Sequence, residues 1–126
     1  MSTSNQALRK PNTVREITKE IVIDCAGVAT GDLDTGLTVP AGKFLTRALL
    51  SNQADDLTSG GSATLAVKVG STAVVAATAI ASVKGAGVAP AEDVVATYSG
   101  SARKVYLTVA TAALTAGTAV IKVSYI

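Results

Sequence analysis

Two apolar, alternating segments close this 126-residue chain, Val105 to Ala110 and Thr118 to Ile126, with the turn signal Thr115-Ala116-Gly117 between them. In RKVYLTVATAALTAGTAVIKVSYI the β-branched and aromatic residues recur every second position, the period of a half-buried strand and not of a helix. The stretch is read as a closing β-hairpin, with the carboxyl terminus part of the fold. Alternation puts Ala119, Ile121, Val123 and Tyr125 on one face of the last strand and Val120, Lys122, Ser124 and Ile126 on the other. The second face is only partly polar, so this strand is expected to be central in the fold or packed in an oligomer.

Upstream, the same grammar repeats. Ile17 to Cys25 alternates, with Ile17, Ile21, Ile23 and Cys25 on one side. AGVATGDLDTG, holding Gly27, Gly31, Gly36, Asp32 and Asp34, reads as a turn region. Leu37 to Val39 is a short strand and Lys43 to Ser51 a longer one, separated by Pro40-Ala41-Gly42, where proline presets φ and glycine supplies a positive one. ADDLTSGG is a loop, and SATLAVKVG a strand with Leu65, Val67 and Val69 inward and Lys68 outward. Residues 71 to 83 mix alanine with Val74, Val75, Thr78 and Ile80, and are read as a strand running into a helical turn. GAGVAPAED is a further loop and DVVATYS a short strand.

Six to eight short strands about ten residues apart, without helical crossovers, predict an all-β fold: an antiparallel β-sandwich or jelly-roll-like barrel. Residues 1–16 precede it as a polar arm with Arg9, Lys10 and Arg15, and residues 17–126 form the sandwich domain. GLTVPAGKFLTRALL and ALTAGTAVIKVSYI both run Leu-Thr, Ala-Gly, strand. This is a recurrent turn solution, since no fixed period accompanies it.

The composition removes most chemistry. Hydrophobic residues make up 48% of the chain but aromatics only 3%, so the core is built of small aliphatic side chains, and association would add stability. There is no histidine, hence no Ser-His-Asp or Cys-His arrangement, no histidine-ligated zinc and no imidazole base. No cofactor motif is present either; Gly60-Gly61 and Gly85-Ala86-Gly87 lack the phosphate-loop pattern. The chain is therefore read as non-enzymatic, with no small-molecule substrate. Asp32, Asp34, Asp55 and Asp56 lie in glycine-rich loops that could begin a calcium site, but turn chemistry explains them. A net charge of +2 is too balanced for nucleic-acid binding, and only Phe44, Tyr98, Tyr106 and Tyr125 could stack on bases. Cys25 has no partner for an intrachain disulfide and reads as a buried thiol. With no apolar leader and no run long enough to span a bilayer, the expectation is a soluble protein made in a reducing cytoplasm. The basic pairs Arg9-Lys10 and Arg103-Lys104 are candidates for an acidic partner surface, the arm pair being the better one.

DTGLTVPAGKFLTRALL, TSGGSATLAVKVG, AATAIASVKGAG and LTAGTAVIKVSYI together resemble small virion proteins of tailed bacteriophages, in particular capsid decoration (cement) and head-fibre-like proteins. The resemblance spans Asp34 to Ile126 and leaves the arm outside it. It implies a structural subunit on the exterior of the capsid that reinforces joints between major capsid proteins, commonly as a homotrimer. In that setting Leu8, Arg9, Lys10 and Arg15 of the arm are the expected capsid contacts, and Tyr106, Tyr125 and Ile126 the candidates for the oligomer interface. The alternative is a tail- or fibre-associated module that binds a receptor or host glycan. Such sites usually pack sugars on exposed rings, and this chain has only four aromatics and no tryptophan.

Overall fold

The computed structural model describes residues 16–52, 56–83 and 97–126. They form ten strands: β1 (Ile17–Asp24), β2 (Gly31–Val39), β3 (Lys43–Asn52), β4 (Thr58–Ser59), β5 (Thr64–Val69), β6 (Thr72–Ala79), β7 (Thr97–Ser99), β8 (Arg103–Ala110), β9 (Leu114–Ala116) and β10 (Thr118–Tyr125). A single 3-10 turn, Ile80–Ser82, follows β6, as the mixed Ala/β-branched sequence there predicts. One four-stranded sheet has the order β1-β10-β3-β7, a second has β2-β8-β5-β6, and β4 pairs with β9 alone. The pairings are antiparallel throughout, which makes the fold an all-β sandwich. The expected loop at residues 85–93 lies outside the described residues, as do the arm up to Arg15 and most of the segment expected as the strand before Ser99.

The core lies between the sheets and is aliphatic. Ile23, Leu45, Ala48, Leu50, Ile121 and Val123 face Val39, Leu65, Val67, Val69, Val105, Leu107 and Val109. The parity expected of β10 holds: Ala119, Ile121 and Val123 are fully buried and Tyr125 is 4% exposed. Burying small side chains yields roughly 25 cal/mol per Å² of apolar surface, so stability here comes from many modest contributions.

The closing hairpin does not form. β8 sits inside the second sheet between β2 and β5, and β10 inside the first between β1 and β3. Alternation specifies which side of a strand is apolar, and both strands satisfy it by being central in different sheets. Residues 111–117 carry the chain from one sheet to the other, with Thr111 at φ 77° and Gly117 at φ 105°. Along the way β9 pairs with β4, Leu114 is buried, and its N–H donates to the Val28 carbonyl at 2.8 Å. Pro40-Ala41-Gly42 does the same for β2 and β3, with Gly42 at φ 78°. The two Ala-Gly elements are thus both crossings that deliver a strand to the first sheet.

Residues 31 to 36 also depart from expectation. They are strand, not loop, and lengthen the strand expected at Leu37–Val39; the count of ten exceeds six to eight because of the short strands β4 and β9. The local turn chemistry is real: Asp34 Oδ1 accepts the Gly36 N–H at 3.0 Å, and Gly36 has φ 87°. It is realised as a bulge within β2, where pairing to β8 shifts between Asp34 and Thr38. Buried Thr35 stabilises the bulge by donating to the Val105 carbonyl at 2.7 Å and accepting from the Leu37 N–H.

Candidate functional site

What the fold presents outward is two sheet faces of different character. On the second sheet, the register aligns Asp34, Tyr106 and Lys68 in one row, with Asp32, Thr108 and Ala66 in the next. Thr108 Oγ1 donates to Asp32 Oδ1 at 2.6 Å, Lys68 Nζ stands 3.5 Å from the same oxygen, and Lys104 Nζ lies 3.3 Å from Asp34 Oδ2. The Thr108 hydroxyl, aided by Lys68, holds the Asp32 carboxyl below its ordinary range. For Asp34 the Gly36 N–H does most, followed by Lys104. Asp34 thus keeps the turn role expected of it, through Gly36, while the Asp32 carboxylate is engaged by Thr108 and Lys68. No group of three or more metal-ligating side chains occurs among the described residues. Asp55 lies outside them, and Asp56 is exposed.

The first sheet is different. Its rows run Thr18–Ser124–Arg47, Glu20–Lys122–Leu49 and Val22–Val120–Ser51 across β1, β10 and β3. A half-open cleft of about 310 Å³ is lined here by Thr18, Arg47, Ala48, Leu49, Lys122 and Ser124. The Thr18 and Ser124 hydroxyls are 2.9 Å apart, and Lys122 Nζ stands 3.8 Å from Glu20 Oε2. Towards β7, the Phe44 and Tyr98 rings stack at a centroid distance of 5.1 Å and a 48° tilt, and are 44% and 57% exposed. The bulge between Ser124 and Tyr125 lets Leu45 turn into the core while Phe44 points away from it. Val22 adds an exposed apolar side chain at the other end of the face.

Against this layout the predicted residues separate. Leu8, Arg9, Lys10 and Arg15 lie outside the described residues. Tyr125 lies in the core of its own chain, so its ring is not a surface group; a tyrosine at the apolar parity of a central strand must point between the sheets. Ile126 is half-buried and continues the ladder through two backbone bonds with Phe44, at 2.8 and 2.9 Å. Tyr106 is half-buried on the outer face of the second sheet. The Arg103-Lys104 pair is divided: Arg103 donates to the Lys43 carbonyl at 3.2 Å, and Lys104 takes Asp34. Cys25 is fully buried, and desolvation pushes its thiol up, consistent with an inert core group. Sequence reasoning missed the Arg47–Lys122 cleft and the Phe44–Tyr98 pair. The latter had a signal, since both rings stand beside turn residues at strand ends.

No protein-family model matches the chain, and no curated protein matches it. Among solved structures, a chain from the capsid of Ralstonia phage GP4 superposes with a TM-score of 0.66 at 20% identity, covering 94% of this chain and 88% of that one. The two share a fold across nearly their whole lengths.

Proposed function

We propose that this chain is a structural virion protein of a tailed phage, a cement or decoration subunit. On this reading it binds the outer surface of the capsid and reinforces contacts between major capsid proteins. The observation that carries the reading is the shared fold with a capsid chain of Ralstonia phage GP4, over 94% of this chain. The motif resemblance from Asp34 to Ile126 points the same way, and a chain without histidine is poorly equipped for hydrolytic catalysis. Virion-exterior placement, homotrimeric assembly and lack of enzymatic activity belong to the same proposal. A light aliphatic core suits such a role, because weak contacts repeated over a shell sum through multivalency. Leu8, Arg9, Lys10 and Arg15 would anchor the arm, with Tyr106 and Ile126 left as contacts between subunits.

The test is co-sedimentation of the purified chain with shells assembled from the major capsid protein of the same phage, followed by imaging of the decorated particles. Full-length protein should saturate sites on the shell exterior. Protein lacking residues 1–16 should melt as before yet fail to decorate. Density on the tail, or full decoration by the truncated chain, would overturn the placement or the arm's role respectively. The exposed Phe44–Tyr98 pair favours one rival, a tail-associated glycan-binding module, since sugars pack over such rings. That rival predicts density at the tail and loss of cell binding in Tyr98→Ala.

A further inference from the structure

The asymmetry between the two faces carries an inference about the partner. On the second sheet, each aspartate of β2 meets a lysine, Asp34 with Lys104 of the adjacent β8 and Asp32 with Lys68 of β5, one strand further on, so those carboxylates are paired within the sheet. The cleft on the first sheet is lined by two cations, two hydroxyls and Leu49, with no carboxylate among its lining residues. Lys122 has a long contact to Glu20 at 3.8 Å, whereas Arg47, opposite Ser124 in the register, makes no ion pair among the described residues. Within the Thr18–Ser124 hydroxyl pair only one proton is used, which leaves the other hydroxyl able to donate.

We infer that this cleft is a carboxylate socket, and that the outer face of the first sheet docks an Asp or Glu side chain of a protein partner. The inference rests on the reading of the chain as a capsid-bound subunit and names the surface that does the binding. Arg47 presents the planar fork that matches a carboxylate with two parallel hydrogen bonds, while Lys122 adds a point charge. Leu49 offers an apolar wall to the methylene carbons of the incoming side chain. The Phe44–Tyr98 pair lies on the same face, and tyrosine and arginine are the residue types that dominate binding energy at protein interfaces.

The chain's own amino-terminal segment is not the occupant, since residues 1–15 contain no Asp or Glu. That segment joins the described chain at Glu16, whose carboxylate accepts from Thr46 Oγ1 at 2.6 Å, one residue from Arg47. An arm tethered to the partner at this point would hold the socket close to its target and raise the effective concentration of the second contact.

The experiment measures binding to capsid shells by co-sedimentation for the wild type, Arg47→Ala, Arg47→Lys and Lys104→Ala, with thermal melts of each. Truncating one member of a docked charge pair should weaken binding by about thirtyfold or more. Arg47→Ala should show that loss with an unchanged melt, Arg47→Lys should fall between it and the wild type, and Lys104→Ala should bind as the wild type does. If the wild type binds and Arg47→Ala binds equally well, the socket is wrong while the capsid-binding role stands. If the wild type binds no shell, both fall. A second overturning result would come from Glu92→Gln/Asp93→Asn: a melt lowered equally by this variant and by Arg47→Ala, without addition in the combined variant, would show that the cleft holds the chain's own carboxylate.

Discussion

Gly117 is the position where a single methyl group should do most damage. It lies between β9 and β10 at φ 105°, and a Cβ built on it would stand 2.5 Å from the Asp56 carbonyl oxygen and 2.7 Å from the Leu57 Cα. The positive φ alone costs an L-residue about 1–2 kcal/mol. Relief of the clash requires moving backbone, because both contacts are main-chain atoms, and that backbone is tied down on each side. Leu57 is buried in the core, and Thr58 pairs with Ala116. Forcing such a shift costs about a further 1–3 kcal/mol, as overpacking does. Gly117→Ala should therefore lose about 3 kcal/mol. With an unfolding entropy of about 2.1 cal/mol/K per residue, 126 residues convert each kcal/mol into about 4 °C, so the melt should fall by about 12 °C. Gly36→Ala is the control: φ is 87° there too, but nothing lies within 4 Å of its Cβ. It should show only the backbone cost, about 1–2 kcal/mol. Urea titrations of the two variants side by side decide the matter. If they lose equal stability, the close approach at Gly117 contributes nothing and the account of this crossing is wrong.

Removing Tyr125 and Ile126 deletes a core aromatic and the two backbone bonds to Phe44, and should cost at least about 3 kcal/mol; unchanged melting and unchanged oligomeric mass would refute this. Asp32 and Asp34 both have depressed carboxyl pKa values in the fold, so the stability they contribute is present above the unfolded value, near 4, and is lost as pH falls through the folded value. Asp32→Asn/Asp34→Asn should accordingly lower stability at pH 7 but not at the acid extreme, giving a flatter acid limb in melts collected from pH 7 down to pH 2.

How much of this was legible in the chain depends on the range of the interaction. The parity of β10 and β5, the Pro40-Ala41-Gly42 turn and the strand-to-turn passage at Ile80 are local properties, set by residues within a few positions of each other, and they read correctly. Pairing is not local. Val105–Ala110 and Thr118–Ile126 have the composition of hairpin partners, yet what separates a hairpin from a crossing is the φ of Thr111 and Gly117 together with the sheet each strand joins. Likewise Asp34 and Gly36 announce a tight bend correctly, but a bend inside a strand and a bend between strands use the same hydrogen bond.

The cleft illustrates the same limit for function. Thr18, Arg47 and Ser124 come from three strands and meet only because β10 lies between β1 and β3 in a particular register. A shift of one residue would send Arg47 towards the core and leave no socket at all. On the second sheet the lysines reach the aspartates diagonally, Lys68 to Asp32 and Lys104 to Asp34, whereas Arg47 faces a serine and has no carboxylate among the described residues within ion-pair distance. A net charge of +2 averages over both situations. What distinguishes a surface that is satisfied within its own chain from one that needs a partner is the placement of each charge relative to its cross-strand neighbour. That criterion is why the inferred carboxylate socket is assigned to the outer face of the first sheet.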